Sequence, residues 1–456
     1  MAVAGAQGAR PGGARLPARA RLAVTAGNGL AHLSRLVGLG SGSVVGGHLV
    51  LAVDPSALSH LARGRRVMVV SGTNGKTTTT RLLAGALEAA GGTEVVTNLQ
   101  GANLSTGVAA ALAAGRPDLP AVLEVDEMWL DRLVGDLRPE VVVLLNLSRD
   151  QLDRNNEVRH VAQRWRQACQ ALAPGAVVVA NADDPLVAWA AMGAGRVVWV
   201  GAGLGWRNDA AGCPACGASV AFGEDGHWAC GGCGLSRPLP EVRVEGEGRG
   251  VAAGVVVRGP DGADSRHPLE LELPGRCNRA NAAVALAALV ACGYDPGPAL
   301  GAMARVREVA GRYARVEHAG VTARLLLAKN PAGWAEVFDM LAPAPGPVVV
   351  AVNARTADGH DPSWLWDVEF ERLAGRPVVA SGERYLDLSV RLHYAGVGHQ
   401  GVEGLSAALS AAGGQVVDVV ANYTAFHQLL AELRRAGEAG APGAGGLGAG
   451  GPGAGR

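Results

Sequence analysis

Lysine is nearly absent from this chain of 456 residues. Of its 41 Lys and Arg residues, 39 are arginine, and the two lysines are Lys76 and Lys329. In such a chain, a retained lysine indicates a place that needs a compact, flexible point charge. Aromatic residues make up 4%, and the formal net charge is zero. Without excess positive charge there is no global field to attract nucleic acid, so we expect no nucleic-acid partner.

The sequence also lacks long apolar runs and, at its start, acidic residues. No uninterrupted apolar run of about 18 residues occurs, so we expect no membrane-spanning helix. The first acid is Asp54. The apolar spacing of residues 14–39 predicts one basic amphipathic helix or two short ones, which could pack on the next domain or touch a membrane surface. No secretory signal pattern follows. We therefore expect a cytoplasmic protein with at most peripheral contact to the inner face of the cell membrane.

A strand, a glycine-containing loop and a helix follow one another between Val67 and Leu87. Val67–Val70 is an apolar run of strand length, and Thr77–Leu87 has leucines at helical spacing. Glycines let the loop N–H groups converge on phosphate oxygens, and a lysine at the helix start reaches the terminal phosphates. The following threonine can ligate Mg²⁺. The sequence thus predicts an ATP site at Gly72, Thr73, Asn74, Gly75, Lys76, Thr77 and Thr78.

Three acids follow the next predicted strand. Glu124, Asp126 and Glu127 come after Val122 and Leu123. Acids at the carboxyl end of a strand beside a phosphate loop are placed to hold Mg²⁺, and Glu124 is the predicted ligand, although such acids could also face solvent. Strands and helices alternate as far as residue 199, which predicts an α/β fold with a doubly wound parallel sheet.

Four cysteines form two C-x-x-C pairs separated by thirteen residues. Four thiolates at this spacing can close a tetrahedron around Zn²⁺, and a closed site of this kind is structural because no position is open for water. A nucleic-acid-binding ribbon is the alternative, but only Arg237 lies near the knuckles. The predicted zinc ligands are Cys213, Cys216, Cys230 and Cys233.

Two segments resemble those of the Mur-ligase family, namely GTNGKT at residues 72–77 and NADD at residues 181–184. The resemblance implies a P-loop ATPase domain at 51–312, with a zinc-ribbon insert at about 205–240, and a smaller Rossmann-like α/β domain at 313–437. Composition predicts a basic, partly disordered segment at 1–50 and a disordered Gly/Ala tail at 438–456.

Further positions carry over from the same family. Asn278 and Asn281 match its asparagines that face the nucleotide, although either could instead cap a helix. Arg312 matches an arginine that reaches nucleotide phosphate. Gln151 stands where the family has histidine, and no lysine lies between Lys76 and Lys329 to be carbamylated. The ligands of a second metal ion are therefore left open.

The four-Cys insert, LAKNPAG at residues 327–333 and ADGHDPSWLWD at residues 357–367 narrow the resemblance. Together they resemble the branch that forms the synthetase subunit of lipid II isoglutaminyl synthases. That branch uses ATP to activate the α-carboxylate of D-isoglutamate in the lipid II stem peptide as an acyl phosphate, with Lys76 and Lys329 at the phosphoryl oxygens. Ammonia comes from a GatD-type glutaminase.

The same resemblance implies that Asp361 orients the catalytic histidine of the glutaminase partner. Asp361 could instead cap a helix at Ser363, with Asp358 and Asp367 as substitutes in the first role. Trp364 and Trp366 could be interface anchors or core residues. Two rival functions remain, a free-standing Mur-type amino-acid ligase and a zinc-ribbon scaffold that binds ATP without chemistry. The ligase would need a UDP-binding domain of roughly a hundred residues, and about 65 residues precede the phosphate loop.

Overall fold

A computed structural model describes residues 16–36, 42–99, 103–149, 158–246, 253–259, 261–309, 312–318, 320–341 and 346–440. The chain divides into two compact units. Unit 1 comprises residues 1–312, 328–341 and 359–369, and unit 2 comprises residues 313–327, 342–358 and 370–456. The first division falls after residue 312, and two later segments return to unit 1.

Three helices begin the described part of unit 1: α1 (Ala18–Leu36), α2 (Ser43–Val53) and α3 (Ala57–Ala62). Small residues on α1, including Ala20, Ala23 and Gly27, form its buried face. A side chain at Gly27 would meet Val50 of α2, so the two helices approach closely. A helix is therefore present where the sequence predicted one or two. The face that packs against neighbouring helices consists of small residues, whereas the predicted apolar positions Leu22, Leu33 and Leu36 are exposed.

Strands and helices then alternate along the chain. In order they are β1 (Val67–Ser71), α4 (Lys76–Gly91), β2 (Val96–Thr97), α5 (Ser105–Ala114), β3 (Ala121–Glu124), α6 (Leu130–Leu137), β4 (Val141–Leu144), α7 (Val158–Gln170), β5 (Val177–Asn181), α8 (Pro185–Ala191) and β6 (Val197–Gly201). β1 pairs in parallel with β3 and β4, and both of its faces are buried. The predicted α/β fold with a parallel sheet is confirmed.

A small hairpin and three further strands follow before two helices complete this part of unit 1. They are β7 (Val220–Phe222), β8 (Trp228–Cys230), β9 (Val242–Glu245), β10 (Gly254–Arg258), β11 (Asp264–Pro268), α9 (Arg276–Ala291) and α10 (Pro296–Ala304). Within the described ranges, the large sheet has nine strands in the order β11-β10-β9-β6-β5-β4-β1-β3-β2. β10 pairs antiparallel with both β9 and β11, an extension that the sequence did not predict.

From residue 313 the elements are β12 (Tyr313–His318), β13 (Val321–Leu327), α11 (Pro331–Met340), β14 (Val348–Ala351), β15 (Val378–Ser381), α12 (Tyr385–Tyr394), β16 (His399–Gly401), α13 (Leu405–Ala412), β17 (Val416–Ala421) and α14 (Tyr423–Gly440). The strands form a six-stranded sheet in unit 2 in the order β12-β13-β17-β14-β15-β16, in which only β12 runs antiparallel to its neighbour. Helix α11 belongs to unit 1.

Several predictions concern residues at the ends of the chain. The segment predicted to be partly disordered contains α1 and most of α2, and its residues 1–15 and 37–41 lie outside the described part. Helix α14 includes the first three residues of the predicted tail, and residues 441–456 lie outside the described part. Among the described residues, no helix combines the length and apolarity that a membrane crossing requires.

Candidate active site

The predicted phosphate loop lies between β1 and α4 and is fixed by the segment after β4. Thr73 donates its N–H to the carbonyl of Asn146 at 2.9 Å, and Asn74 donates its N–H to the Asn146 side chain at 2.9 Å. Gly75 has a φ of 85°, and a Cβ there would lie 2.7 Å from the Asn281 side-chain oxygen. Glycine is required at this point because both the backbone angle and the close approach exclude a side chain.

Lys76 is buried inside this loop beside an acidic cluster. Its Nζ donates to the carbonyls of Gly72 and Thr73 and to the Glu127 carboxylate, the last at 2.7 Å. Burial by itself lowers the pKa of Lys76, but the carboxylates of Glu127 and Glu124 raise it above the usual value. The lysine is therefore fully charged at neutral pH, as a phosphate-binding lysine must be.

The acidic cluster also includes an oxygen pair suited to a hard cation. Thr77 donates its hydroxyl to Glu124 at 2.8 Å, and the backbone of Glu124 makes two hydrogen bonds of 2.8 Å with the Asn98 side chain. Burial and Glu127 raise the pKa of nearby Asp126, while Lys76 and Lys329 oppose that shift. Hydroxyl and carboxylate oxygens in contact at the edge of a phosphate loop fit Mg²⁺. The sequence indicated these acids, but not the pairing of Lys76 with Glu127.

A cavity of about 450 Å³ opens beside the loop in unit 1. Asn281, at the start of α9, lines this cavity, whereas Asn278 donates its side-chain amide to the Pro274 carbonyl at 2.6 Å. The structure thus brings Asn281, but not Asn278, to the loop. The cavity is also lined by Asn74, Asn181, Asp183, Gly203, Arg207, Phe222, Arg237, Cys277 and Glu336.

Glu336 of α11 is a cavity residue that the sequence analysis did not single out. Burial raises its pKa to about 7, and Asp339 adds to the shift. A hydrogen bond with Cys277 and the charges of Arg312 and Arg276 act in the opposite direction. Arg312, a predicted nucleotide ligand, is therefore close enough to influence this cavity wall. No local pattern marks Glu336, because its partners come from another part of the chain.

We expect Glu336 to make the folded protein less stable as the pH rises. Its folded pKa of about 7 exceeds the ordinary value of 4.5, so its contribution is complete below about pH 4.5 and is lost through about pH 7. When the pH is raised from about 5.5 to about 8.5, the free energy of unfolding should fall in wild type because Glu336 becomes charged. In Glu336→Gln, which cannot ionise at this position, the fall should be smaller by about 1–3 kcal/mol. Denaturant unfolding at both pH values measures this, with exposed Glu270→Gln as the matched control. Equal losses in wild type and Glu336→Gln would contradict it.

Lys329 and Asn330 lie at the turn before α11. Asn330 caps α11 by accepting the Gly333 N–H at 2.8 Å, and it accepts a hydrogen bond from the Asn74 side chain at 3.2 Å. Lys329 lines a small cavity with Arg149, Asp209, Trp364 and Asp367. Because Lys329 also lowers the pKa of Asp126, its charge acts on the acidic cluster. The structure therefore brings both predicted lysines toward the same acids.

Asp361 lies away from these contacts, on an exposed turn. Its carboxylate accepts the Ser363 N–H at 2.9 Å at the start of a 3₁₀ helix (Ser363–Asp367), and this bond lowers its pKa. Asp358 instead is buried in unit 2, where it accepts hydrogen bonds from the backbone and hydroxyl of Thr424. Trp364 is buried and Trp366 is exposed. Gln151 lies outside the described residues.

The four predicted zinc ligands meet in the insert. Their sulfur atoms all lie within 4.8 Å of one another, with 3.7 Å between Cys213 and Cys233 and 3.5 Å between Cys216 and Cys230. At a Zn–S distance of about 2.3 Å, tetrahedral sulfurs are about 3.8 Å apart. The thiol set therefore fits Zn²⁺.

Comparison with known proteins agrees with this arrangement. Residues 70–204 match the Mur ligase middle domain, and residues 327–426 match the MurT ligase C-terminal domain. The lipid II isoglutaminyl synthase (glutamine-hydrolyzing) subunit MurT of Streptococcus pneumoniae is 30% identical in an alignment of 382 residues that covers 78% of this chain and 83% of that protein. The chain belongs to the MurT family. It is therefore a ligase of the Mur type.

Other MurT subunits and more distant folds are similar as well. The MurT subunit of Staphylococcus aureus is 28% identical over 384 residues, covering 80% of this chain and 85% of that protein. In fold, the chain is similar to Mycobacterium tuberculosis folylpolyglutamate synthase complexed with ADP and AMPPCP, with a TM-score of 0.61, 16% identity and coverage of 90% and 98%. MurF from Acinetobacter baumannii gives a TM-score of 0.61 at 17% identity, covering 85% of this chain and 80% of that one.

Proposed function

We propose that this chain is the ATP-dependent synthetase subunit of a glutamine-hydrolysing lipid II isoglutaminyl synthase. Its similarity over most of its length to MurT subunits that carry this name is the observation that carries the proposal. The phosphate loop with buried Lys76 and the Thr77–Glu124 contact support the ATP-dependent part.

In the proposed reaction, an oxygen of the D-isoglutamate α-carboxylate attacks the γ-phosphorus of ATP, and ADP leaves. The nitrogen of ammonia then attacks the acyl carbon, and inorganic phosphate leaves as the amide forms and a proton is released. Lys76 and Lys329 stabilise the charge that develops on the phosphoryl oxygens. Gly72–Thr78 hold the phosphates, and Asn281 and Arg312 contribute to nucleotide binding, whereas the Asn278 amide is engaged by the Pro274 carbonyl. Thr77 and Glu124 would hold Mg²⁺, which neutralises phosphate charge.

Ammonia is proposed to come from a GatD-type glutaminase. The three cysteines outside the four-Cys cluster do not suit a nucleophile, because burial raises the pKa of Cys169 to about 12, that of Cys292 to about 11, and that of Cys277 well above its usual value. A reactive cysteine needs a lowered pKa to be a thiolate at neutral pH. We propose that Asp361 assists the partner's histidine and that the four cysteines hold structural Zn²⁺.

The proposed function is tested by supplying the purified chain with lipid II, Mg-ATP and ammonium salt. We expect ATP-dependent release of phosphate together with amidation of the stem peptide. Addition of the glutaminase should allow glutamine to replace ammonium. An absence of amidated lipid II with ammonium would contradict the substrate assignment, and incorporation of a free amino acid would favour a Mur-type amino-acid ligase instead.

A peripheral contact with the membrane that carries lipid II is also proposed, through the outer face of α1. Leu22, Leu33 and Leu36 are more than half exposed there, and Arg19, Arg21 and Arg35 lie on the same helix without any acid. Apolar and basic groups together suit an anionic interface. We expect the chain to sediment with phosphatidylglycerol vesicles and Leu22→Glu/Leu33→Glu to lose this binding, whereas Leu386→Glu on α12 should not. Equal sedimentation of all three proteins would argue against it.

A further inference from the structure

The β7–β8 hairpin carries cavity residues at one end and cysteines at the other. Its turn, with Phe222, Glu224, Asp225 and Gly226, lines the cavity beside the phosphate loop. The strands are three residues long, with Phe222 opposite Trp228 and Val220 opposite Cys230. The distance along the hairpin from the cavity wall to the thiol cluster is therefore only two residue pairs.

Two contacts fasten this hairpin to the segment after β5. Trp228, which is fully buried, donates its indole N–H to the Ala182 carbonyl at 2.9 Å. Arg237, just after the hairpin, pairs with Asp183, and Asp183 also accepts the Gly203 N–H at 2.6 Å. Asp183, Gly203 and Arg237 all line the cavity. The position of the hairpin and the shape of this wall are thus set together.

The fully buried core around the hairpin is small and includes two of the four thiols. It consists of Ala188, Cys213, Val220, Trp228 and Cys230, and the partly buried Trp199, Ala218, Phe222 and Leu235 pack against it. An isolated two-stranded hairpin is marginal in water, and small domains of this kind derive folding free energy from the metal they bind. Without metal, the close thiols lose the interaction that holds the two knuckles together.

We propose that the metal bound by the four cysteines positions the wall of the nucleotide cavity, so that metal occupancy sets affinity for the nucleoside part of ATP. The phosphates are held separately by the loop, through Lys76 and the backbone of Gly72–Gly75. This inference rests on the proposed ATP site. It assigns the insert a positioning role in nucleotide binding, beyond the stability of the insert itself.

The experiment compares binding of ATP and of inorganic tripolyphosphate by calorimetry, with the full chain in each case. Wild type is measured in three states: loaded with zinc, after chelation, and after zinc has been restored. The double variant Cys216→Ser/Cys233→Ser is measured in the same way. Phe222→Ala alters the wall while leaving the four thiols in place. Leu239→Ala, an exposed residue after the hairpin, is the matched control. Zinc content is measured for every sample.

We expect chelation and the double Cys variant to weaken ATP binding at least about tenfold, a change of about 1.4 kcal/mol, and tripolyphosphate binding less than about twofold. Restored zinc should recover ATP binding, and Phe222→Ala should weaken it at full zinc content. An ATP affinity that is unchanged by the removal of zinc would overturn the inference. Equal losses of affinity for ATP and for tripolyphosphate would also overturn it, because they would indicate general unfolding. If zinc-loaded wild type binds tripolyphosphate but not ATP, the proposed function itself fails.

Discussion

The Asp361→Asn variant is expected to lose glutamine-driven amidation by about 1,000-fold or more while it keeps ammonium-driven amidation. A carboxylate behind a histidine fixes the ring tautomer and stabilises its charged form, and an amide does neither. Asp361 is suited to act on another subunit because it is exposed on a turn. Amidation of lipid II is measured with either nitrogen source, in the presence of the glutaminase.

The substitution separates the two roles that the sequence left open for Asp361. Asparagine is as good a helix cap as aspartate, so the Ser363 N–H keeps its acceptor and the turn should not change. A loss specific to glutamine therefore reports on the partner's histidine. Glu369→Gln, an exposed neighbour, should behave as wild type. Equal activity of Asp361→Asn and wild type with glutamine would leave helix capping as the role of Asp361.

The Lys76→Arg variant should lose at least about 1,000-fold in kcat/KM with either nitrogen source. The charge is conserved, but the planar guanidinium needs more room than an ammonium group that is buried among two loop carbonyls and Glu127. The chain uses arginine at nearly every other basic position, so the retained lysine is informative. ATP-dependent phosphate release in the presence of lipid II and ammonium measures the effect.

The reciprocal substitution Arg81→Lys on the exposed side of α4 is the control, and it should leave activity unchanged. Circular dichroism and ATP binding show whether Lys76→Arg still folds and binds nucleotide. A variant that is folded and retains more than about a tenth of wild-type turnover would show that the compact ammonium group is not required and that a guanidinium can replace it.

The local motifs were predictable from sequence because their chemistry resides in neighbouring residues. The strand, loop and helix around Lys76 follow from apolar spacing and glycine placement, and the structure begins α4 at Lys76 itself. The spacing of the two C-x-x-C pairs likewise predicted that the four cysteines lie close together. In contrast, Asn278 and Asn281 are separated by about one turn of α9, and the sequence pattern alone does not indicate which of them faces the loop.

What the sequence did not predict depends on contacts between distant segments. Glu336 acquires its high pKa mainly from burial, against the opposing hydrogen bond with Cys277 from a distant segment. Asn330 accepts a hydrogen bond from Asn74, which lies more than 250 residues earlier in the chain. Strand β11 consists of polar residues and proline, most of them exposed, which do not give the apolar pattern of a core strand. Such features become visible only when the fold has placed the segments together.

The chain passes between its two compact units five times, after residues 312, 327, 341, 358 and 369. No single cut can therefore release a stand-alone ATPase fragment. A fragment that ends at Arg312 would lack Asn330, the partner of Asn74, and the α11 wall with Glu336. Such a fragment would lose part of the surroundings of the phosphate loop and part of the cavity wall, so the two units should be expressed and engineered as one chain.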